Sequence, residues 1–185
     1  MRIALIHALA QSVAPVADAF AAEWPEASLV NLLDDSLSRD RAAEGGLTPA
    51  MVSRFITLAR YAAGSGARGI LFSCSAFGPA IEVAASSVAP LPVLKPNEAM
   101  IEAAGAYRRI GLVATFGPTL DSMAGEFPAG IELHPALAEG ALAALEAGRP
   151  EEHDRLAAEA ALRLKAAGVE AIALGQFSLA RAAER

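Results

Sequence analysis

Short apolar runs and alanine-rich segments alternate along the whole chain. The apolar runs have the length and continuity of buried parallel strands: Arg2–Ile6, Ser28–Leu32, Gly69–Ser73, Leu91–Leu94, Ile110–Ala114, Ile131–Leu133 and Ala171–Leu174. Between them, the spacing predicts helices: Val13–Trp24, Pro49–Ala63, Pro79–Ser87, Asn97–Ala104, Thr119–Glu126, Leu137–Ala147 and Glu151–Ala167. Such alternation predicts an α/β fold with parallel sheet and right-handed crossovers.

Three segments of the first half recur in the same order in the second half. RIALI at 2–6 resembles RIGLV at 109–113, and EWP at 23–25 resembles EFP at 126–128. GARGILFSC at 66–74 lines up with GVEAIALGQ at 168–176. We therefore predict two similar α/β lobes of one ancestral unit, at residues 1–94 and 109–185, with a junction at 95–108.

The longest polar connection, Leu32–Leu47, joins the second predicted strand to the next helix. Loops of this length are often functional. We expect a mobile lid, with Gly45 and Gly46 giving it freedom to close.

Composition narrows the class of protein. The net charge of −6, without a basic stripe, argues against a nucleic-acid partner. The N-terminal run MRIALIHALA is too short to cross a bilayer, so we expect a buried first strand, no membrane partner and a cytoplasmic protein. A single cysteine excludes an internal disulfide, and no histidine or carboxylate spacing indicates a metal site.

That cysteine, Cys74, stands at the end of a predicted strand, and its counterpart in the repeat is Gln176. Ligands of parallel α/β sheets bind beyond the carboxyl ends of the strands. If the two lobes face each other about a pseudo-twofold axis, both side chains approach one ligand in the cleft between them. The alternative is that Cys74 is an apolar filler of the core.

The two lobes, SCSA at 73–76, ATFGPT at 114–119 and GQ at 175–176 together resemble the aspartate/glutamate racemase superfamily. This superfamily includes aspartate, glutamate and hydantoin racemases, maleate isomerase and arylmalonate decarboxylase. The resemblance implies proton transfer at the α-carbon of a carboxylate substrate, without a cofactor, by one cysteine from each lobe. Cys74 matches the first of these cysteines. Gln176 occupies the second position and cannot transfer a proton. The chain also ends before the last strand and helix that the resemblance implies, so we expect a second lobe that lacks them.

The same resemblance implies which residues hold the substrate. Ser75, the amide of Ala76, Thr115 and Thr119 match positions that hold its carboxylate, and Gln11 and Ser12 lie in the loop that contacts it. Helix capping is the simpler role for the hydroxyl residues among them.

Two neighbours bear on the proton chemistry. A helix start after Cys74 predicts a lowered thiol pKa and a thiolate. His7 ends the first strand, where a hydrogen-bonded structural role is commoner than proton transfer.

These features predict an isomerase that moves a proton at the α-carbon of a small carboxylate or an amino-acid derivative, using one cysteine. Decarboxylation or cis–trans isomerisation within the same superfamily is the alternative, and a non-catalytic module that binds a small anion is an alternative of another class. A single thiol implies a reaction on one face of the substrate. The partner is then a small-molecule carboxylate, and whether the chain forms a homo-oligomer is left open.

Overall fold

Parallel strands form two separate sheets, one in each half of the chain. The structure is a computed structural model, and it describes residues 1–183. The chain divides into two compact units, Met1–Pro96 and Asn97–Arg185. The first begins with the first predicted strand, and the second takes in most of the segment predicted as a junction.

The first unit carries a four-stranded sheet with the order β2-β1-β3-β4. All of its strand pairs are parallel. Its elements along the chain are β1 (Arg2–His7), α1 (Val13–Glu23), β2 (Ser28–Leu33), α2 (Leu37–Glu44), α3 (Pro49–Gly64), β3 (Gly69–Phe72), α4 (Gly78–Ser87) and β4 (Val93–Leu94). Two short 3-10 turns, Ala10–Ser12 and Ser75–Phe77, follow β1 and β3.

The second unit carries a three-stranded parallel sheet with the order β6-β5-β7. Its elements are α5 (Glu98–Ala104), β5 (Arg109–Ala114), α6 (Gly117–Ala124), β6 (Glu132–Leu137), α7 (Ala141–Glu146), α8 (Pro150–Ala166) and β7 (Ala171–Leu174). A 3-10 turn over Phe177–Ala182 follows β7.

Both sheets place their strands in the same way. The first strand of each unit lies between the second and the third, so β1 and β5 are equivalent, as are β3 and β7. This agrees with the repeated segments, and the predicted α/β fold of two similar lobes is confirmed. The pseudo-twofold axis and the cleft stay predictions.

Side chains of β5 alternate between two cores, as the two-residue period of a strand requires. Ile110 and Leu112 pack with Met123 on one face. Val113 packs on the other face, in a cluster that includes the small side chains Ala157 and Ala160 of α8. Alanines allow α8 to lie close to the sheet.

Gly111 shows how close this approach is. A Cβ atom at Gly111 would lie 2.8 Å from Leu164 Cδ1 and 3.0 Å from Leu164 Cβ on α8. We expect Gly111→Ala to lower the free energy of unfolding by about 1–3 kcal/mol, because the added methyl overpacks this contact. Chemical denaturation measures the change. The control is Gly64→Ala at the end of α3, where a Cβ would meet nothing within 4 Å. Equal stability of the two variants would contradict the packing argument.

The largest differences from the predicted segments lie in two places. Leu32–Leu47 is not a loop throughout, because α2 occupies residues 37–44 and buries Leu37 completely. The helix predicted over Leu137–Ala147 is wrong at its start, since β6 runs to Leu137 and Gly140, with φ +77°, precedes the shorter helix α7. Left-handed backbone of this kind favours glycine. Over residues 1–183, none of the helices combines the length and the apolar character needed to cross a membrane.

Candidate active site

Cys74 lies at the carboxyl end of β3, directly before the 3-10 turn that leads into α4. The residue keeps 9% of its surface exposed, and its thiol is free. Ser75 and Ala76 follow it in the turn and are buried. Three of the predicted site residues therefore form one continuous segment at the end of a strand.

Helix α2 contacts this segment. Ser38 donates a hydrogen bond through Oγ to the carbonyl oxygen of Ala8, at 3.2 Å, and its side chain acts to lower the pKa of Cys74. The Arg41 guanidinium lies over the Phe77 ring, 5.3 Å from the ring centre. The polar segment predicted to be a lid thus lies against the cysteine. That it moves stays a prediction.

The thiol of Cys74 does not have the lowered pKa that the sequence predicted. Burial raises the pKa of Cys74 to about 11, although the Ala76 backbone, the Ser38 side chain and the Arg41 charge each act to lower it. The prediction failed because the α-helix starts only at Gly78, after the 3-10 turn, while desolvation acts on the sulfur directly. A pKa of about 11 favours the protonated thiol at neutral pH.

The rate at which Cys74 is alkylated should follow from its raised pKa. We expect the rate with iodoacetamide, followed by mass spectrometry, to rise about tenfold per pH unit up to pH 10 without a plateau, because the thiolate is the reacting form. Arg41→Met should slow alkylation at every pH, since it removes a charge that favours the thiolate. Arg39→Met, which changes an exposed arginine of the same helix, is the control. A plateau below pH 8 would contradict the raised pKa.

An ion-pair cluster ties the start of the α2 segment to α3. Arg54 Nε donates to Asp34 Oδ2 at 2.9 Å, and Arg54 Nη1 donates to Asp40 Oδ2 at 2.6 Å. Arg54 also donates to the hydroxyl of Ser36. Burial alone would raise the pKa of Asp34, but the bonds from Arg54 and Ser36 outweigh it and hold that pKa below its ordinary value. Asp34 is therefore a structural anion that holds this segment against α3.

His7 at the end of β1 is fully buried between two hydrogen-bond partners. Its Nε2 lies 2.9 Å from Asn31 Oδ1, and its Nδ1 lies 2.7 Å from Ser73 Oγ. Because an amide oxygen only accepts, Nε2 carries the proton and the Ser73 hydroxyl donates to Nδ1. Burial lowers the pKa of His7. A neutral histidine with both ring nitrogens occupied agrees with the structural role. The 3-10 turn after β1 holds Gln11 half-buried and Ser12 buried.

In the second unit, the structure brings Thr115 and Gln176 into direct contact. Gln176 follows β7, which pairs with β5, and its Oε1 accepts from the Thr115 backbone N–H at 2.6 Å and from Thr115 Oγ1 at 3.1 Å. Thr115 is therefore no helix cap, since the residue at the N-cap of α6 is Phe116, which makes no side-chain cap. Thr119 is buried in the first turn of that helix. The predicted residues thus form two groups, one in each unit.

A buried polar cluster of the second unit was missed. His153 is fully buried, and its Nδ1 donates to Asp154 Oδ1 at 2.8 Å. Arg181 Nε, from the 3-10 turn after β7, donates to the same oxygen at 2.8 Å. Because the residues next to His153 in the sequence are charged, the local pattern does not indicate that this histidine is buried. The bond between Arg181 and Asp154 joins residues far apart in the chain, so it leaves no local pattern either. In the described part of the chain, no group of three or more histidine, cysteine, aspartate or glutamate side chains could hold a metal ion.

Several solved racemases and racemase homologues have a similar fold. Glutamate racemase from Francisella tularensis subsp. tularensis SCHU S4, in complex with D-glutamate, is similar with a TM-score of 0.76 at 15% identity, over 99% of this chain and 73% of that one. Allantoin racemase from Klebsiella pneumoniae has a TM-score of 0.70 at 19% identity, over 100% and 77%. An aspartate racemase homologue from Pyrococcus horikoshii OT3 has a TM-score of 0.66 at 14% identity, over 98% and 87%.

Sequence comparison gives the family. No curated protein sequence matches the chain. A sequence model described as Asp/Glu/hydantoin racemase matches residues 10–185, which is nearly the whole chain and includes both groups of predicted site residues. The chain therefore belongs to the Asp/Glu/hydantoin racemase family and is an enzyme of the isomerase class.

Proposed function

We propose that the protein transfers a proton at the α-carbon of a small carboxylate or an amino-acid derivative, with Cys74 as the acid/base and without a cofactor. The surroundings of one atom support this most directly. The sulfur of Cys74 is buried at the end of a strand beside the Ala76 amide, the Ser38 side chain and the Arg41 charge. A thiol used only to fill space needs none of these groups.

These surroundings suit proton transfer because they stabilise both the protonated thiol and the thiolate. Burial keeps the thiol protonated at rest, so that it can donate a proton. The Ala76 backbone N–H, the Ser38 hydroxyl once it turns from the Ala8 carbonyl oxygen, and the Arg41 charge favour the thiolate that remains after donation. In the reverse direction, the thiolate takes a proton from the α-carbon.

The charge that develops on the substrate carboxylate also needs donors, because an α-proton is removed only when that charge is stabilised. Ser75, Thr115, Thr119 and the Ala76 amide are the groups we assign to this task, with Gln11 and Ser12 as further substrate contacts. The Ala76 amide already serves the sulfur, and both donors of Thr115 are bound to Gln176 Oε1, so these two residues have the smallest share in holding the substrate.

Exchange of α-protons into deuterated water tests the proposal. Amino acids, hydantoins and dicarboxylates are incubated with the protein, and proton loss is followed by NMR. We expect exchange in at least one of these classes, dependent on Cys74. Exchange that persists unchanged without Cys74 would refute its role as the acid/base.

A second candidate function is decarboxylation, which the raised pKa of Cys74 favours. Loss of CO2 from a substituted malonate leaves a carbanion that needs one proton, and a thiol that is protonated at rest can supply it. Release of CO2, measured on the same protein, separates this reaction from α-proton exchange.

A further inference from the structure

The side-chain amide of Gln176 has a fixed orientation. Its Oε1 atom accepts two hydrogen bonds from Thr115, one from the backbone N–H at 2.6 Å and one from Oγ1 at 3.1 Å. A backbone N–H can only donate, so the Gln176 atom that faces Thr115 is the oxygen. The NH2 group must then point away from Thr115.

The backbone on both sides of Gln176 is also held. The Gly175 N–H donates to the carbonyl oxygen of Val113 at 2.8 Å, and a Cβ at Gly175 would lie 3.2 Å from that oxygen. At the far end of the 3-10 turn, Arg181 is bonded to the buried Asp154. Hydrogen bonds therefore hold the chain on both sides of the amide.

The two N–H groups of Gln176 Nε2 have no hydrogen-bond partner among residues 1–183. The side chain is half-buried at the end of a parallel strand, which is where ligands of such sheets bind. Unpaired donors with a fixed direction favour a ligand that brings an acceptor oxygen within hydrogen-bond distance of them.

We propose that Gln176 is a specificity-determining residue whose amide N–H groups bind an acceptor oxygen of the ligand, either a carboxylate or a carbonyl oxygen. This inference rests on the proposed function for the choice of ligand class. It gives Gln176 a binding role at the position where the family resemblance implies a second cysteine. A ligand that places an ammonium group there is rejected, because donors would then face donors.

Chemical shifts of the Gln176 side-chain NH2 test the inference in the wild-type protein. Succinate supplies carboxylate oxygens and hydantoin supplies carbonyl oxygens without a carboxylate, so the two probes distinguish the two kinds of acceptor. We expect one of them at millimolar concentration to shift these two proton signals in a saturable way. Assignment of the signals follows from their loss in Gln176→Met. No shift with either probe would overturn the inference.

Gln176→Glu provides the matched variant. One carboxylate oxygen can still accept from Thr115, while the NH2 donors become an acceptor oxygen of the same size. We expect binding of the effective probe to weaken about tenfold or more, with thermal unfolding little changed. Unchanged binding in a folded variant would also overturn the inference. Because both measurements follow binding and not turnover, they stand apart from the proposed function, which fails when exchange does not depend on Cys74.

Discussion

Replacing Cys74 by serine should lower the rate of α-proton exchange about 10³-fold. A serine hydroxyl is of nearly the same size as the thiol but is a far weaker acid, so its alkoxide is not populated at neutral pH. General acid–base catalysis by one positioned group typically contributes about 10²- to 10⁴-fold, and this contribution is what the variant loses. The rates are measured by NMR in deuterated water with the substrate class that the wild type exchanges.

Two further variants make the result specific. Cys74→Ala should lose as much as Cys74→Ser, because neither supplies a usable proton. Ser86→Ala, an exposed position on α4, should exchange at the wild-type rate. If Cys74→Ser kept more than a tenth of the wild-type rate, another group would have to be the acid/base, and the assignment of Cys74 would be wrong.

Replacing Asp154 by alanine should lower the free energy of unfolding by about 3 kcal/mol. Asp154 is buried, and its Oδ1 accepts from His153 Nδ1 and from Arg181 Nε, both at 2.8 Å. Removing Asp154 leaves His153 and Arg181 without their common hydrogen-bond acceptor. Loss of one member of a buried ion pair typically costs about 3–5 kcal/mol. Chemical denaturation at pH 7 measures the loss. Glu159→Ala, which breaks an exposed pair with Arg155 on the same helix, should cost less than about 1 kcal/mol.

The same variant should change the pH dependence of stability. Burial acts to raise the pKa of Asp154, but the bonds from His153 and Arg181 outweigh it, so that the pKa of the folded protein lies below the ordinary value. A lowered pKa in the folded state gives stability that is present above the unfolded-state pKa and is lost as the pH falls through the folded-state pKa. The difference between the wild type and Asp154→Ala should therefore shrink in acid, below about pH 4. A difference that grew in acid would contradict the pKa shift.

The sequence predicted most strands closely. The ends of five strands lie within one residue of the predicted apolar runs: β1, β2, β3, β5 and β7. Strand β6 was predicted only over Ile131–Leu133, because Pro135 interrupts the pattern. The structure accommodates this proline in a strand that pairs with β5 alone. Proline lacks an N–H and is tolerated at a sheet edge.

Helix α2 was missed because it is polar along most of its length. Only Leu37 and Ser38 are buried, so no apolar stripe with helical spacing is present. Its position is fixed by bonds to residues distant in sequence, such as those from Arg54 to Asp34 and Asp40. Long-range polar contacts of this kind leave no periodic signal.

The sequence predicted the strand ends that carry Cys74 and Gln176, but it did not predict the protonation state of the thiol. The repeat placed Cys74 and Gln176 at equivalent strand ends, and the structure has both there. The thiol pKa depends on how completely α2 and the turn remove water from the sulfur, which is a property of packing. The contact between Thr115 and Gln176 likewise follows from the register of β5 and β7, which the sequence does not contain.

The close approach of α8 to β5 at Gly111 has a consequence for how related sequences can diverge. Side chains at positions 111 and 164 compete for the same space, because Leu164 occupies the space that a side chain at Gly111 would fill. A larger residue at 111 is tolerable only together with a smaller one at 164. The two positions should therefore covary among homologues that keep this helix against this strand, and a Gly111→Ala, Leu164→Ala double substitution should be less harmful than the sum of its parts.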